Sequence, residues 1–330
     1  MTTEGAKAWP APAKLNLFLH VTGRRPDGYH ELHTLFQLLD WGDEVRIAVL
    51  DAPRIGRIGD DYGVPEEQDL VVRAARLLQH ESGCARGAEI AVTKNIPMGS
   101  GMGGGSSDAA TVLLVLNELW GCELDHDALA ALGARLGADV PVFVRGHSAM
   151  ARGIGDELEP VDLGPCHYVL VFPGMAISTP AVFGDPGLKR DSRPLSLDDA
   201  LAGRGRNDCE PVVRNQFPAM ADVFEKLARW GRPVMTGTGS GIFIPMQDRQ
   251  AAESAARQIK NLYNSRAVTG VDRSAQHEKV YSGGVWVGTG GTSRGGCWHG
   301  GLSRGFAGAM PAVGAWLNGG WRSCDRGGGG

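Results

Sequence analysis

The sequence has no apolar run approaching the roughly 20 residues that a membrane-spanning helix needs. Its first ten residues contain Glu4 and Lys7 but no apolar core, so no secretory signal is expected there. It also lacks a positive surplus, because the formal net charge is −4 over 330 residues. We therefore expect neither a membrane nor a nucleic acid as a partner.

Cysteine is scarce and scattered. The six cysteines form no CxxC pair, so the spacing indicates neither a disulfide framework nor a zinc site. We accordingly expect no protein-bound metal from these residues, and a reduced cytoplasmic enzyme fits best.

The hydrophobic content, 42% of the residues, is enough for two compact domains or one large one. Strands and helices are both predicted, without strict β-α-β alternation, which favours an α+β fold. We expect strands at 14–21, 44–50, 88–93, 167–172, 233–235, 242–245 and 265–271, and helices at 69–80, 108–120, 127–136, 209–229 and 249–260. A boundary near 156–164 gives two domains, residues 1–160 and 161–278.

The composition changes at about Lys279. Glycine makes up about a third of residues 279–330, and half of the tryptophans lie there. Glycine loses much backbone entropy on ordering and offers no side chain to bury. We predict a disordered tail, which is either an interaction segment or sequence outside the evolved domain.

A glycine- and serine-rich segment, 97–111, lies between a predicted strand and a predicted helix. Glycines let backbone N–H groups turn toward an anion, and the start of a helix adds partial positive charge. Ser106, Ser107 and Thr111 add hydroxyl groups. The alternative is a flexible turn followed by a helix cap. We favour a phosphate-binding loop, although it matches neither a Walker A motif nor a Rossmann dinucleotide motif.

Two charged residues could serve a proton transfer. Asp139 lies between a helix end and an apolar run, where a carboxylate can accept a hydroxyl proton or merely stabilise a turn or cap a helix. Lys14 interrupts an apolar strand and shares a face with Asn16, where it could stabilise negative charge or simply reach solvent.

Several other residues could hold a planar ring or a phosphate. Tyr29, His30 and Phe183 could hold a ring by stacking, although each alone could be core or surface. A second glycine turn, 237–241, fits either a hairpin or a phosphate contact.

Together these segments resemble the GHMP kinase superfamily. The similarity spans about residues 11–274 and rests on the motifs at 12–17, 25–37, 72–75, 97–111, 137–141, 179–180 and 236–240. The Gly28-Tyr29-His30 block distinguishes one subgroup from the mevalonate, homoserine and galactose kinases. Met102 replaces the leucine typical of the loop, one glycine is added before Ser106, and Asp69 stands where many relatives carry asparagine.

The resemblance implies a two-domain α+β GHMP kinase fold, with an N-terminal half like ribosomal protein S5 domain 2 and a C-terminal α+β half. ATP, carrying Mg²⁺, would donate phosphate to a cytidine diphosphate sugar alcohol, and the protein would be a monomer or a homodimer. Alternatives are another GHMP kinase acting on a smaller alcohol, or a non-catalytic nucleotide-binding relative.

The resemblance also assigns roles to residues. Lys14 and Asp139 would be catalytic, with Asp139 as the base. The substrate would be bound by Asn16, Tyr29, His30, Thr179 and Phe183. ATP would be bound by Lys94, Pro97, Met98, Gly99, Ser100, Gly101, Met102, Gly103, Gly104, Gly105, Ser106 and Ser107. The substitution at Asp69 leaves an adenine contact there open.

Overall fold

The structure is a computed structural model that describes residues 7–282. Its strands are β1 (Ala8–Arg24), β2 (His30–Leu50), β3 (Ile55–Ile58), β4 (Gly87–Thr93), β5 (Ala149–Arg152), β6 (Glu157–Pro160), β7 (Cys166–Phe172), β8 (Val234–Met235), β9 (Ile242–Met246) and β10 (Asn264–Val271). Its helices are α1 (Leu70–Ser82), α2 (Gly104–Trp120), α3 (His126–Ala134), α4 (Val140–Arg145), α5 (Thr179–Gly184), α6 (Leu197–Leu201), α7 (Cys209–Gln216), α8 (Pro218–Leu227), α9 (Arg249–Ile259) and α10 (Ala275–Ser282).

The described strands form one mixed sheet. The main path runs β3-β4-β2-β10-β7-β9-β8, with β1 and β5 also paired to β2, and β6 paired to β5. Every pair is antiparallel except β3 with β4. The long strand β2 therefore organises the N-terminal half, and its contact with β10 joins it to the C-terminal half.

A glycine permits that junction. Leu38 pairs with Val271, and Leu39 pairs with Gly270. A Cβ atom built at Gly270 would approach the side-chain carbon Cδ of Gln37 to 2.6 Å. A larger residue would therefore displace Gln37 from the place where the two halves of the sheet meet.

Each half buries its own apolar layer against the sheet. In the N-terminal half, α1 and α2 pack on β2 and β4, with Leu78, Leu113 and Phe143 fully buried. In the C-terminal half, α7, α8 and α9 cover β7 and β9 around residues such as Leu227 and Ile259. A third cluster, which includes Phe18 and Phe243, lies between them.

The predicted α+β class is confirmed, and most predicted elements are present with small shifts at their ends. Strand β2 is much longer than the predicted 44–50. Its first part was not predicted because His33–Leu39 are all buried and lack the alternation that marks a strand. The helix predicted at 108–120 begins at Gly104. The elements β3, β5, β6, α4, α5, α6 and α10 were not predicted; all of them except the eight-residue α10 are six residues or shorter.

The last described helix crosses the expected start of the tail. In α10, Val280 is buried, and Lys279 Nζ donates a hydrogen bond to the Ala8 carbonyl. The remainder of the predicted tail, residues 283–330, lies outside the described residues. Within residues 7–282, no helix is long and apolar enough to cross a membrane.

Candidate active site

Two cavities meet beside the glycine-rich loop. The larger has a volume of about 730 Å³ and is lined by both halves of the chain, from Lys14 and Asp139 to Phe183 and Thr238. The smaller has a volume of about 340 Å³ and lies along the loop itself. Gly101, Gly103 and Ser106 line both cavities, so a group held in one can reach a group held in the other.

Lys14 lies at this junction and is buried. Its Nζ donates to Asn16 Oδ1 at 2.5 Å and to the Gly101 carbonyl at 3.0 Å, and lies 3.2 Å from Asp139 Oδ2. Asn16 is itself held by a bond from its Nδ2 to Thr34 Oγ1 at 2.9 Å. The alternative of a lysine reaching solvent does not apply, because only 2% of Lys14 is exposed.

Asp139 directly precedes α4, but its side chain makes no capping hydrogen bond to that helix. The side chain is 34% exposed and lines the larger cavity. One carboxylate oxygen faces Lys14 while the carboxylate remains accessible to a ligand. A hydroxyl bound in the larger cavity would therefore find a proton acceptor with a fixed cationic neighbour.

The second glycine turn holds the first loop in place. Ser240 N donates to the Gly99 carbonyl at 3.0 Å, and Gly241 N donates to the Ser100 carbonyl at 3.1 Å. The turn connects β8 and β9, which pair with each other. Of the two alternatives for this segment, the hairpin is therefore present, and it also fixes the glycine-rich loop.

The residues predicted to bind ATP, except Ser107, line the smaller cavity. Gly103 has a φ of 74° and immediately precedes α2, so the first N–H groups of that helix open beside the loop. Ser107 is fully buried within α2, and its N–H donates to the Gly103 carbonyl at 2.8 Å. Neither its hydroxyl nor its N–H therefore lies on the cavity surface.

Lys94 lies below the loop between two buried carboxylates. Its Nζ contacts Asp43 Oδ2 and lies 2.7 Å from Asp108 Oδ2. Burial lowers the pKa of Lys94, but the two carboxylates outweigh it and the net shift is upward. Burial raises the pKa of Asp108 to about 7, opposed by Lys94 and reinforced by Asp43.

Asp43 also shapes the entrance to the loop. Its Oδ1 accepts hydrogen bonds from the N–H groups of Asn95 at 2.5 Å and Ile96 at 2.7 Å. One carboxylate therefore fixes both the Lys94 ammonium and the backbone that leads into the loop.

Asp69 lines the smaller cavity but its carboxylate is already engaged. Oδ1 caps α1 by accepting from Val71 N at 3.1 Å, and Oδ2 accepts from Arg57 Nη1 at 2.8 Å and from the Tyr62 hydroxyl. Burial, followed by the hydrogen bond to Asp69, raises the pKa of Tyr62, so this hydroxyl stays protonated and donates. The aspartate thus has a structural role here.

The aromatic residues lie in the larger cavity. His30 stacks on Phe183 with ring centroids 5.0 Å apart and an interplanar angle of 24°. Tyr29 is 61% exposed at the cavity edge, and the Thr179 and Thr238 hydroxyls share a hydrogen bond of 2.7 Å. The structure thus brings all five predicted substrate residues, Asn16 included, into one cavity.

Several residues that organise the site were missed from the sequence. Asp43, Thr34, Asn207 and Arg190 each act through partners distant in the chain. Asn207, for example, donates to the Gly237 carbonyl at 2.7 Å. Thr34 lies within the 25–37 motif but was not singled out there, and the other three lie outside every motif quoted above, so no local signal marks them.

Comparison with known proteins identifies the family of this architecture. The model of the GHMP kinases N terminal domain matches residues 69–147, and that of the GHMP kinases C terminal domain matches residues 187–265. A solved structure described as a crystal structure of 4-(cytidine 5'-diphospho)-2C-methyl-D-erythritol kinase superposes with a TM-score of 0.71 at 36% identity. The match covers 80% of this chain and 99% of that one.

Several similar proteins carry the name 4-diphosphocytidyl-2-C-methyl-D-erythritol kinase. The protein of Xanthomonas axonopodis pv. citri (strain 306) is 55% identical over 254 residues, which is 76% of this chain and 86% of the relative. That of Halorhodospira halophila (strain DSM 244 / SL1) is 50% identical over 272 residues, covering 82% and 94%.

Proposed function

The chain belongs to the 4-diphosphocytidyl-2-C-methyl-D-erythritol kinase family of the GHMP kinases, and on this basis we propose that it phosphorylates the 2-hydroxyl of that cytidine diphosphate sugar alcohol. It is an ATP-dependent kinase, as the resemblance of its motifs implied. The products are the 2-phosphate and ADP, in the methylerythritol phosphate pathway to isoprenoids. The observation that best supports the proposal is the Lys14–Asp139 pair, 3.2 Å apart, where the two cavities meet.

In the proposed mechanism Asp139 accepts the proton of the substrate hydroxyl as the hydroxyl oxygen attacks the γ-phosphorus of ATP. A bond forms between that oxygen and phosphorus, and the bond from phosphorus to the β,γ-bridging oxygen breaks, so ADP leaves with that electron pair. Lys14 stabilises the negative charge on Asp139 and on the attacking oxygen. Its bond to the Gly101 carbonyl holds this ammonium against the loop.

ATP is assigned to the smaller cavity, with its phosphates along the loop and the start of α2. Backbone N–H groups of the Gly103–Ser106 segment and the Ser106 hydroxyl supply donors there. Ser107 is not assigned to this contact, because it is buried in α2. Lys94 supports the loop through Asp43 and Asp108 and lines the same cavity.

Mg²⁺ is proposed to enter with the ATP phosphates. Protein-bound Mg²⁺ commonly takes one or two carboxylates together with substrate phosphates. Asp139 lines the larger cavity and Ser106 lines both cavities, so the oxygen atoms of these two side chains fit such an ion. The ion would neutralise charge on the transferred phosphate.

The larger cavity would hold the cytidine and sugar alcohol. Tyr29 and Phe183 offer aromatic faces for a pyrimidine, and His30 offers a ring nitrogen to its edge. Asn16 accepts a hydrogen bond from Lys14 and so lies at the reacting end, and Thr179 lines the same cavity. A kinase for a small alcohol would need no such ring site. A cytoplasmic location stays a prediction, and so does the choice between monomer and homodimer.

A coupled assay of ADP release tests this proposal. The substrates compared are 4-diphosphocytidyl-2-C-methyl-D-erythritol, mevalonate and homoserine, each with Mg-ATP. We expect turnover of the cytidine compound alone. Faster turnover of mevalonate or homoserine would overturn the substrate assignment, and the absence of ADP release with all three would overturn the assigned acceptor class.

A further inference from the structure

Arg190 lies between α5 and α6. It contacts His30, one of the residues proposed to bind the pyrimidine ring of the substrate. Its Nη2 donates to the carbonyl oxygens of Phe183 at 2.9 Å and Asp185 at 2.7 Å. Its Nη1 donates to the Leu188 carbonyl at 3.0 Å. Three bonds to backbone acceptors fix the plane of this guanidinium group.

A fourth hydrogen bond reaches His30. Arg190 Nε lies 3.1 Å from His30 Nε2. A guanidinium N–H only donates, so His30 Nε2 must accept. A neutral imidazole carries a single ring proton, which is therefore on Nδ1. Across residues 7–282 no hydrogen bond engages that Nδ1, and the ring lines the larger cavity.

The charges around His30 keep its imidazole neutral. Burial, followed by the guanidinium groups of Arg190 and then Arg24, lowers the pKa of His30. The nearby carboxylates of Asp27 and Glu31 are paired with Arg25, at 3.1 Å and 3.8 Å from its Nε. At neutral pH the ring is thus an uncharged Nδ1–H donor with its opposite nitrogen occupied.

We infer that Arg190 is a positioning residue that sets the specificity for the nucleobase of the substrate. It does so by holding His30 as an Nδ1–H donor toward the ring edge of the bound pyrimidine. Such a donor matches N3 of cytosine, which is an acceptor, and opposes N3 of uracil, which carries a proton. Without Arg190 the neutral imidazole can place its proton on either nitrogen. The inference rests on the proposed function, because it takes the ligand to be a cytidine compound.

The test compares Arg190→Met with a matched control, Arg249→Met. Arg249 is 73% exposed on α9 and pairs with Glu253 at 2.9 Å, so its loss should leave activity unchanged. At pH 8 we expect Arg190→Met to raise KM for 4-diphosphocytidyl-2-C-methyl-D-erythritol about tenfold, the effect of weakening one hydrogen bond. We expect kcat to change little and the preference over the uridine analogue to fall.

Acid should partly restore the variant. Without the Arg190 charge, His30 should titrate nearer its ordinary pKa of about 6.5, and the imidazolium again carries an Nδ1 proton. The ratio of variant KM to wild-type KM should therefore shrink as pH falls from 8 to 6. A role of Arg190 limited to bracing the Phe183–Leu188 backbone predicts a raised but constant ratio, and that result, or an unchanged KM, would overturn the inference.

A spectroscopic measurement separates this inference from the proposed function. In ¹⁵N-histidine-labelled protein, with His30→Phe to assign the signal, the nitrogen shifts report the ring tautomer without substrate. We expect the Nδ1–H form in the wild type and a mixture in Arg190→Met. An Nε2–H form in the wild type overturns the inference even if the enzyme uses the cytidine substrate. Failure to use that substrate overturns the proposed function while the tautomer is still measured.

Discussion

Lys14 and Asp139, from the first strand and the start of α4, place an ammonium nitrogen 3.2 Å from a carboxylate oxygen. Lys14 is fixed by Asn16 and by the Gly101 carbonyl of the loop. Asp139 makes no capping bond to α4, so its carboxylate is oriented by the lysine. The pair thereby links the loop, the larger cavity and the proposed base.

Replacing Asp139 by Asn tests the base assignment. The amide keeps the size of the side chain but removes the basic oxygen, so we expect kcat to fall by roughly 10²–10⁴ with a smaller change in KM. ATP binding, measured by calorimetry, should persist. Because the two residues act together, Lys14→Met combined with Asp139→Asn should cost much less than the product of the single losses. Wild-type kcat in folded Asp139→Asn would contradict the assignment.

Gly101 and Gly99 form a matched pair in the loop. Both have positive φ, 71° and 68°, so alanine is similarly strained at either position. A Cβ at Gly101 would lie 2.3 Å from the Thr236 carbonyl oxygen, whereas a Cβ at Gly99 meets no atom within 4 Å. We expect Gly101→Ala to weaken ATP binding at least tenfold and to lower kcat, because the Gly101 carbonyl also holds Lys14.

Gly99→Ala controls for backbone strain alone. It should lose about 1–2 kcal/mol of stability at most and retain most of its ATP affinity, as measured by calorimetry and thermal melting. Equal losses of affinity in the two variants would mean that the contact between the two glycine turns is unimportant for nucleotide binding.

The parts of the site that the sequence predicts are those with a local chemical signal. The loop is recognisable from its clustered glycines and serines. Lys14 is recognisable because it places a charge inside an apolar strand. Asp139 is proposed as the base because of its contact with Lys14, and the spacing of the two residues in the sequence does not reveal that contact. Its capping alternative was excluded by the structure, not by the sequence.

The remaining parts depend on long-range pairing. Lys94 meets Asp43 and Asp108 only because β2, β4 and α2 pack together. Arg190 and His30 are far apart in the sequence but are joined by a hydrogen bond of 3.1 Å. In β2, complete burial of His33–Leu39 hides the alternation on which strand prediction depends. Side chains whose hydrogen bonds and ion pairs are made with residues distant in the chain produce no periodic pattern in the sequence.

Truncation tests the end of the folded domain. A chain ending at Ser282 should keep its melting temperature and kinase activity. A chain ending at Ser274 lacks α10, and with it the buried Val280 side chain and the bond from Lys279 to the Ala8 carbonyl. Loss of an apolar side chain of this size costs about 1.5–3 kcal/mol. We expect that chain to melt several degrees lower. Loss of activity in the chain ending at Ser282 would assign a role to residues 283–330.

The buried Asp43–Lys94–Asp108 cluster predicts a pH dependence of stability. Burial raises the pKa of Asp108 to about 7 in the folded protein, whereas an unfolded aspartate titrates near 3.9. Between these values the folded state binds more protons than the unfolded state, so Asp108 makes folding less favourable as pH rises from about 4 to about 7. Below about 4 both states are protonated, and above about 7 both are ionised, so this contribution no longer changes.

Asp108→Asn removes that titration and keeps an oxygen for Lys94, which retains Asp43 as its partner. The melting temperature of the variant relative to wild type should therefore rise steadily from pH 4 to pH 7 and then level off, whatever the constant offset caused by the lost ion pair. Arg249→Met, remote from the cluster, should show a flat difference over the same range. A flat difference for Asp108→Asn as well would mean that Asp108 is ionised throughout, and that Lys94 outweighs the cost of burying its charge.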